Sequence, residues 1–318
     1  MGEIIRMPNV QHNRHLGRSS NGVTVDPEIA HRALLQRSRA SNRRLARSHY
    51  ENFLVTSFLL PRHLHQPFYD IYAFCRVADD LADDSPTKEQ ALAGLGSMER
   101  DLKAVFTSGD HDVEPERFLF IGLRDTIRRY ELDQQPFFDL LAAFKMDQKR
   151  SSYETEDELL SYCKFSANPV GRLLLQLAGV NSQLAKKLSD SICTGLQLVN
   201  FLQDIRSDFR RGRIYLPQDE LSQYSVDLSD LTCQANQKAL ACLVRSRCES
   251  ARSYFDAGFG LIDEVPPWFA RTVTLFIAGG LEVLRVIEKN DYDVWTSKAR
   301  VSKLRQFWFL TRATLNFF

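Results

Sequence analysis

The chain has 318 residues, 44% of them hydrophobic, 25% charged and 11% aromatic, with a formal net charge of +1. The apolar fraction is ample for a buried core, and 15 Gly and 11 Pro are too few for a fibrous, linker-dominated or turn-rich all-β chain. Near-zero net charge gives no whole-protein electrostatic case for nucleic acid, so any anion must be met by a local site. The six cysteines (Cys75, Cys163, Cys193, Cys233, Cys242, Cys248) form no C-x-x-C pair and have no His at zinc-finger spacing. They read as reduced, mostly buried thiols. No apolar run approaches the roughly 20 residues that cross a bilayer, and the Arg-rich start lacks the apolar core of a secretory signal. The expectation is an intracellular, cytoplasmic protein.

Taken in chain order, residues 1–47 read as a basic, largely disordered arm, with Asn, His, Gly, Ser and Arg and no apolar period up to about residue 26. Arg43, Arg44 and Arg47 continue the bias and either touch anionic lipid or keep the segment solvated. From Glu51 onward the pattern is helical nearly throughout. The spacing predicts helices over 64–84, 88–106, 117–130, 136–149, 156–166, 170–178, 182–209, 229–255, 266–289 and 301–315. In the long helix over 182–209, Leu184, Leu188, Ile192, Leu196 and Val199 form a core-facing stripe. Ser85-Pro86, Gly109-Asp110, Gln135-Pro136, Asn168-Pro169, Gly212, Pro217 and Pro266-Pro267 punctuate the set. With no alternating strand series and no 20–50-residue repeat, the expected fold class is all-α. One catalytic domain is expected over 48–296, with a basic-aromatic helix after it over 297–318.

Two acidic helices carry the chemistry. The first holds Tyr72-x-x-x-Arg76-x-x-Asp79-Asp80-x-x-Asp83-Asp84. Positions 76, 79, 80, 83 and 84 share one broad face, because i+3 and i+4 neighbours lie about 5–6 Å apart. Four carboxylates on two turns repel one another, and the helix C-terminus disfavours their charge. Either this is a solvated acidic end or, given the apolar flank Ile71 to Ala78, the carboxylates hold a hard cation through oxygen ligands alone. The second helix reads Gln197-Leu198-Val199-Asn200-Phe201-Leu202-Gln203-Asp204-Ile205-Arg206-Ser207-Asp208. Asn200, Asp204 and Asp208 step by four along one stripe amid apolar neighbours. That stripe is either a buried hydrogen-bond network or a second half-site. Together, the two helices offer carboxylates for Mg²⁺, and the ions with Arg can grip a diphosphate. Ionising a C–O–P bond this way leaves a carbocation, which survives only where water is excluded and aromatic faces surround it. Phe53, Phe58, Tyr72, Tyr162, Phe165 and Phe201 are candidates for that wall.

The stretches IYAFCRVADDLADD and LVNFLQDIRSDFRRGRIYLPQDEL, with KMDQKRSSYETEDELLSYCKFSANPVGRLLL between them, resemble the squalene/phytoene synthases from about residue 50 to about residue 291. The resemblance implies the single-domain isoprenoid synthase helical bundle around a central cavity. It implies Mg²⁺, two or three ions with the substrate diphosphate, held by Asp79, Asp80, Asp83 and Asp84 from the first helix and Asn200, Asp204 and Asp208 from the second. Arg76 and Arg213 would contact diphosphate, and Tyr72 and Tyr162 would line the cavity. HYENFLVTSFLLP and YCKFSANPVGRLLL are similar to the bacterial hydroxysqualene synthase branch of hopanoid biosynthesis. That branch ionises presqualene diphosphate, quenches the cation with water and leaves reduction to a separate flavoprotein. Hand-off from a condensing synthase and to that reductase is therefore expected, with no nucleic acid.

The family pattern is broken at two positions of the second motif. Many members carry Arg where this chain has Gln203, and Glu where it has Ser207. A weaker grip on two farnesyl diphosphates favours a one-diphosphate substrate. The same-fold alternative is a head-to-head prenyltransferase condensing two farnesyl diphosphates to presqualene diphosphate, dehydrosqualene or a phytoene-like product. A helical assembly factor of the same fold is a third reading, opposed by the retained acidic residues. Glu51 and Asn52 either hold the quenching water or cap the next helix. Gly94-Leu95-Gly96 lacks the strand–turn–helix context of a nicotinamide site, so no NADPH is expected. The tail mixes Lys298, Arg300, Lys303, Arg305 and Arg312 with Phe307, Trp308, Phe309, Leu310, Leu315, Phe317 and Phe318. It reads as an interfacial helix on the inner membrane face or as a last core helix with a basic edge.

Overall fold

The computed structural model describes residues 26–48, 59–107, 118–231 and 233–296. Glu51, Asn52, Phe53, Phe58, the segment up to residue 25 and the basic-aromatic tail lie outside these. Among the described residues every regular element is helical, in agreement with the all-α expectation. The helices are α1 (Pro27–Ser48), α2 (His65–Asp83), α3 (Lys88–Thr107), α4 (Leu119–Tyr130), α5 (Gln135–Asp147), α6 (Glu156–Ser166), α7 (Asn168–Leu177), α8 (Gln183–Arg210), α9 (Gln218–Gln223), α10 (Gln234–Gly258), α11 (Leu261–Glu264) and α12 (Pro267–Lys289).

Helix starts follow local chemistry. Thr155 caps α6 by accepting from the Glu158 amide, while the Glu158 carboxylate accepts from the Glu154 amide at 2.9 Å. Ser182 caps α8 by accepting from the Ala185 amide at 3.2 Å. The helix expected over 229–255 begins instead at Gln234 and runs to Gly258. The delay has a cause. Asp227 accepts from both the amide and the hydroxyl of Ser229, and the Asn236 side chain reaches back to the Asp227 amide and the Asp230 carbonyl. These bonds hold 227–231 as a turn rather than a helical start.

The largest difference from expectation is α1. Residues 27–48 are a helix packed on α2 and α4, not a disordered arm, and Ser38, Asn42 and Ala46 are at most 2% exposed. Its docking is polar, which hides it from a reading of apolar period. The Ser38 hydroxyl donates to the Phe118 carbonyl at 2.7 Å and accepts from the Gly122 amide at 2.9 Å. The Asn42 amide donates to buried Asp70 at 2.7 Å.

Two apolar clusters fill the interior. One joins α2, α3, α4, α5 and α7 around Phe74, Leu95, Met98, Phe120, Leu123 and Phe137. The other joins α6, α8, α10 and α12 around Tyr162, Val199, Phe201, Leu243, Phe255 and Leu284. Leu174 on α7 packs against both. The α7–α8 contact depends on Gly171, where an added Cβ would lie 2.4 Å from Ser189 Oγ and 2.6 Å from Cys193 Sγ. All six cysteines are free, but only Cys163 and Cys248 are buried, while Cys233 and Cys242 are exposed. The first acidic helix, α2, therefore belongs to one half of the core and the second, α8, to the other.

Candidate active site

Arg76 on α2 organises its own acidic helix. Its guanidinium lies 2.9 Å from Asp79 and 2.5 Å from Asp80, one turn along the same face. Burial pushes the Asp79 carboxyl above its ordinary value, and the neighbouring Asp83 charge adds to the rise. Tyr72, half-buried one turn before Arg76, is likewise raised by burial. Asp84 is exposed and closes the helix with its amide on the Asp80 carbonyl at 2.9 Å.

Asp83 joins the two halves. Arg211 Nη1 lies 3.0 Å from one of its oxygens and Arg213 Nη2 2.9 Å from the other. The reach is set by how α8 ends. The Arg213 amide donates to the Asp208 carbonyl at 2.8 Å and the Gly212 amide to the Phe209 carbonyl at 2.9 Å. Gly212 is in the left-handed region at φ +74°. This paired bonding past a left-handed glycine satisfies the last carbonyls and turns the chain sharply. Arg211 and Arg213 thereby meet one carboxylate from either side of the glycine.

On α8 itself the predicted stripe is only partly inward. Asn200 is exposed, whereas Asp204 and Asp208 are half-buried. The Ser207 hydroxyl donates to the Asp204 carbonyl at 2.9 Å and lies 3.1 Å from its carboxylate. The Asp208 carboxyl is pushed up to about 6, first by burial and then by the Asp204 charge, against the pull of Arg211 and Arg213. Crowded, partly desolvated carboxylates with raised pKa values mark a site that would gain from added positive charge.

Beside this charge stands an aromatic wall. Phe201 and Tyr215 stack at 4.2 Å between ring centroids and 9° between planes. Tyr162 lies 5.9 Å from Tyr215 and 5.4 Å from Tyr153, and the Arg150 guanidinium sits 4.6 Å over the Tyr153 ring. Phe165, another expected wall residue, is exposed. Asp147, at the end of α5, accepts from the Tyr162 hydroxyl at 2.7 Å and from the Tyr215 hydroxyl at 3.1 Å. Burial is the main cause that raises its carboxyl to about 6. Two backbone bonds tie the segments that carry these groups: Ile214 to the Ser151 carbonyl at 2.7 Å and Gln218 to the Tyr153 carbonyl at 2.9 Å.

The sequence reading missed Asp147, Tyr153, Arg211 and Tyr215. Their signal was present in KMDQKRSSY and RRGRIYLP, where charged and aromatic residues alternate around helix ends. The donor set of Asp79, Asp80, Asp83, Asp84, Asn200, Asp204 and Asp208 is oxygen only, which fits a hard divalent cation. Among the described residues no three His, Cys, Asp or Glu side chains converge on one ion position, and guanidinium groups engage Asp79, Asp80 and Asp83.

An all-α bundle in which Arg211 and Arg213, just past the end of one acidic helix, meet Asp83 on the other is the arrangement expected of an isoprenoid synthase. The chain matches the squalene/phytoene synthase family over residues 46–305 and belongs to it. It is 30% identical over 303 residues to a 15-cis-phytoene synthase of Synechococcus elongatus, covering 91% of this chain and 97% of that protein. It is 29% identical to a phytoene synthase of Arthrospira platensis, over 86% and 91% of the two chains. Among solved structures, squalene synthase HpnC from Alicyclobacillus acidocaldarius superposes with a TM-score of 0.74 at 36% identity, covering 82% of this chain and 97% of HpnC. A dehydrosqualene synthase in complex with a ligand superposes with a TM-score of 0.78 at 25% identity, over 90% and 99%. Membership makes the chain a prenyltransferase-type enzyme of isoprenoid biosynthesis. Among the described residues no helix is long and apolar enough to cross a membrane.

Proposed function

We propose that the protein converts presqualene diphosphate and water to hydroxysqualene and diphosphate with Mg²⁺. Asp79, Asp83, Asp204 and Asp208, with Asp80, Asp84 and Asn200 beside them, would hold the ions, which when bound supply electrophilic pull on the leaving diphosphate. Arg76, Arg211 and Arg213, whose guanidinium groups lie against Asp79 and Asp83, would take up the charge that gathers on the departing oxygens. The cluster of Phe201, Tyr215, Tyr162 and Tyr153 would form the apolar side of the reaction site, shielding the developing cation from bulk water.

The observation that carries the branch is the higher identity to HpnC than to the phytoene synthases. Gln203 and Ser207, which reduce the charged groups available to grip a second diphosphate, support it. The phytoene and dehydrosqualene synthases among the relatives favour a second reading, head-to-head condensation of two farnesyl diphosphates.

The test is a product assay on the full chain with Mg²⁺ and no NADPH, run on presqualene diphosphate and farnesyl diphosphate in parallel. The expected result is an alcohol of hydroxysqualene mass from the first substrate only, abolished in Asp83→Ala and Asp204→Ala. Conversion of farnesyl diphosphate to presqualene diphosphate or a C30 polyene moves the protein to the condensing reading.

A further inference from the structure

Asp147 lies outside both acidic motifs, yet it is the hub of the aromatic wall. Its two carboxylate oxygens are divided between two hydroxyls, Tyr162 at 2.7 Å on one and Tyr215 at 3.1 Å on the other. Tyr162 comes from α6 and Tyr215 from the turn after α8, so one carboxylate aligns rings from two separate elements. Both rings pack with Phe201, at 6.3 Å and 4.2 Å. A carboxylate this desolvated is costly to keep ionised. Its surroundings are the Tyr162 and Tyr215 hydroxyls with the Arg213 and Asp83 charges, so the acid is placed among groups that can exchange a proton with it.

We propose that Asp147 is a positioning residue for the step that ends the carbocation: it aligns the Tyr162 and Tyr215 hydroxyls and, through one of them, receives the proton the cation releases. The proposal rests on the reading that loss of diphosphate leaves a cation beside these rings. In the water quench, diphosphate departs with the electron pair of the C–O bond and water oxygen bonds to the cationic carbon. The resulting oxonium gives its proton to a tyrosine oxygen as that tyrosine's own proton passes to Asp147. The products are a neutral alcohol, an intact tyrosine and a protonated carboxyl. If the chain instead makes a C30 polyene, the proton leaves a carbon, its C–H electron pair becomes the double bond, and the same relay takes it.

A carboxyl near 6 is poised to accept a proton above that pH and to pass it on afterwards. The groups facing it are Tyr162 and Tyr153 from the α6 side, Tyr215 and Arg213 from beyond α8, and Asp83 from α2. Arg213 holds the pKa down and Asp83 raises it.

The experiment measures diphosphate release and normal C30 product separately in the Mg²⁺-loaded full chain, wild type against Asp147→Asn, Tyr162→Phe and Tyr215→Phe. Circular dichroism confirms folding of each. In wild type the two quantities are equal. In Asp147→Asn, diphosphate release in a single turnover stays within about threefold, while normal product falls about 100-fold, the scale of a positioned proton acceptor. The excess appears as abnormal products, and the fall in activity below about pH 6 expected of wild type is reduced. At least one Tyr→Phe variant uncouples in the same direction. If release and product fall together in Asp147→Asn with an unchanged pH profile, the role is structural and the proposal is wrong. If the variant turns over normally, diphosphate itself takes the proton, and the proposal is equally wrong. Failure of the water-quench reading looks different: wild type then acts on farnesyl diphosphate alone, and the release-to-product ratio is read on that hydrocarbon.

Discussion

Asp70 fastens α1 to the body of the enzyme through Asn42, alongside the Ser38 contacts. The side chain is 0% exposed. One oxygen accepts from Asn42 Nδ2 at 2.7 Å and Gln66 Nε2 at 3.0 Å, and the other accepts from Thr126 Oγ1 at 2.8 Å. In Asp70→Ala three hydrogen bonds of about 1 kcal/mol each are lost. Asn42 and Gln66 keep second partners, the Leu119 and Arg39 carbonyls. The Thr126 hydroxyl is stranded in the interior, while removal of a buried carboxyl, raised by desolvation, returns part of the loss. The net cost is about 3 kcal/mol, or a fall in Tm of about 6–12 °C for a chain of this size. Asp70→Asn keeps a carbonyl for Asn42 and Gln66 and turns its amide to the Thr126 oxygen, so it costs about 1 kcal/mol and about 2–4 °C. Because the folded state binds the Asp70 proton more tightly than the unfolded chain, acidification stabilises wild type relative to Asp70→Asn. Thermal unfolding followed by circular dichroism at two pH values reads all three quantities. An Asp70→Ala loss no larger than that of Asp70→Asn would refute the argument that the hydrogen bonds to Asp70 carry the cost.

Two further outcomes are expected. Arg213 keeps 19% of its side chain exposed and Arg211 61%, although both meet Asp83. Arg213→Ala should therefore slow diphosphate release about 10–100-fold, the worth of a sheltered charged hydrogen bond, and Arg211→Ala much less because water screens it. Steady-state kinetics decide, and an Arg211 effect equal to that of Arg213 counts against the ranking. Removal of residues 301–318 should abolish co-flotation with anionic liposomes if the Lys/Arg-and-aromatic tail is interfacial, and unchanged flotation would exclude that role for it.

The fold was readable wherever apolar residues recur at helical spacing. The helix over Glu156–Ser166 agrees at both ends, and α8 and α12 agree within one residue. What stayed hidden was structure built from polar contacts. The α1 interface runs through Ser38, Asn42 and Ala46, four residues apart but without a large apolar side chain among them. The turn over 227–231 is a side-chain network that no period reveals. At the site, Asp79 to Asp84 and Asp204 to Asp208 stood out because like charges on one helix face demand a reason. Asp147 did not, since a lone carboxylate at the end of a helix is ordinary until its two tyrosine partners, one 15 residues away and one 68, are brought to it.

The departures at Gln203 and Ser207 acquire a physical meaning from the geometry around them. Ser207 donates its hydroxyl proton to Asp204, so the position where the family resemblance leads to the expectation of a carboxylate here supplies a hydrogen bond to one. A Glu at 207 would place a further charge next to Asp204 and Asp208, and the Asp208 carboxyl is already raised by its neighbour. Gln203 removes the cation that would offset it. The two changes are therefore compensating: one negative and one positive group are exchanged for neutral ones, and the net charge of the α8 half-site is kept. What falls is the number of charged groups able to engage phosphate oxygens or ions at once. A substrate with one diphosphate needs fewer of them than two farnesyl diphosphates held together. The paired loss of Arg and Glu thus fits the proposed reaction, whereas loss of either alone would simply unbalance the site.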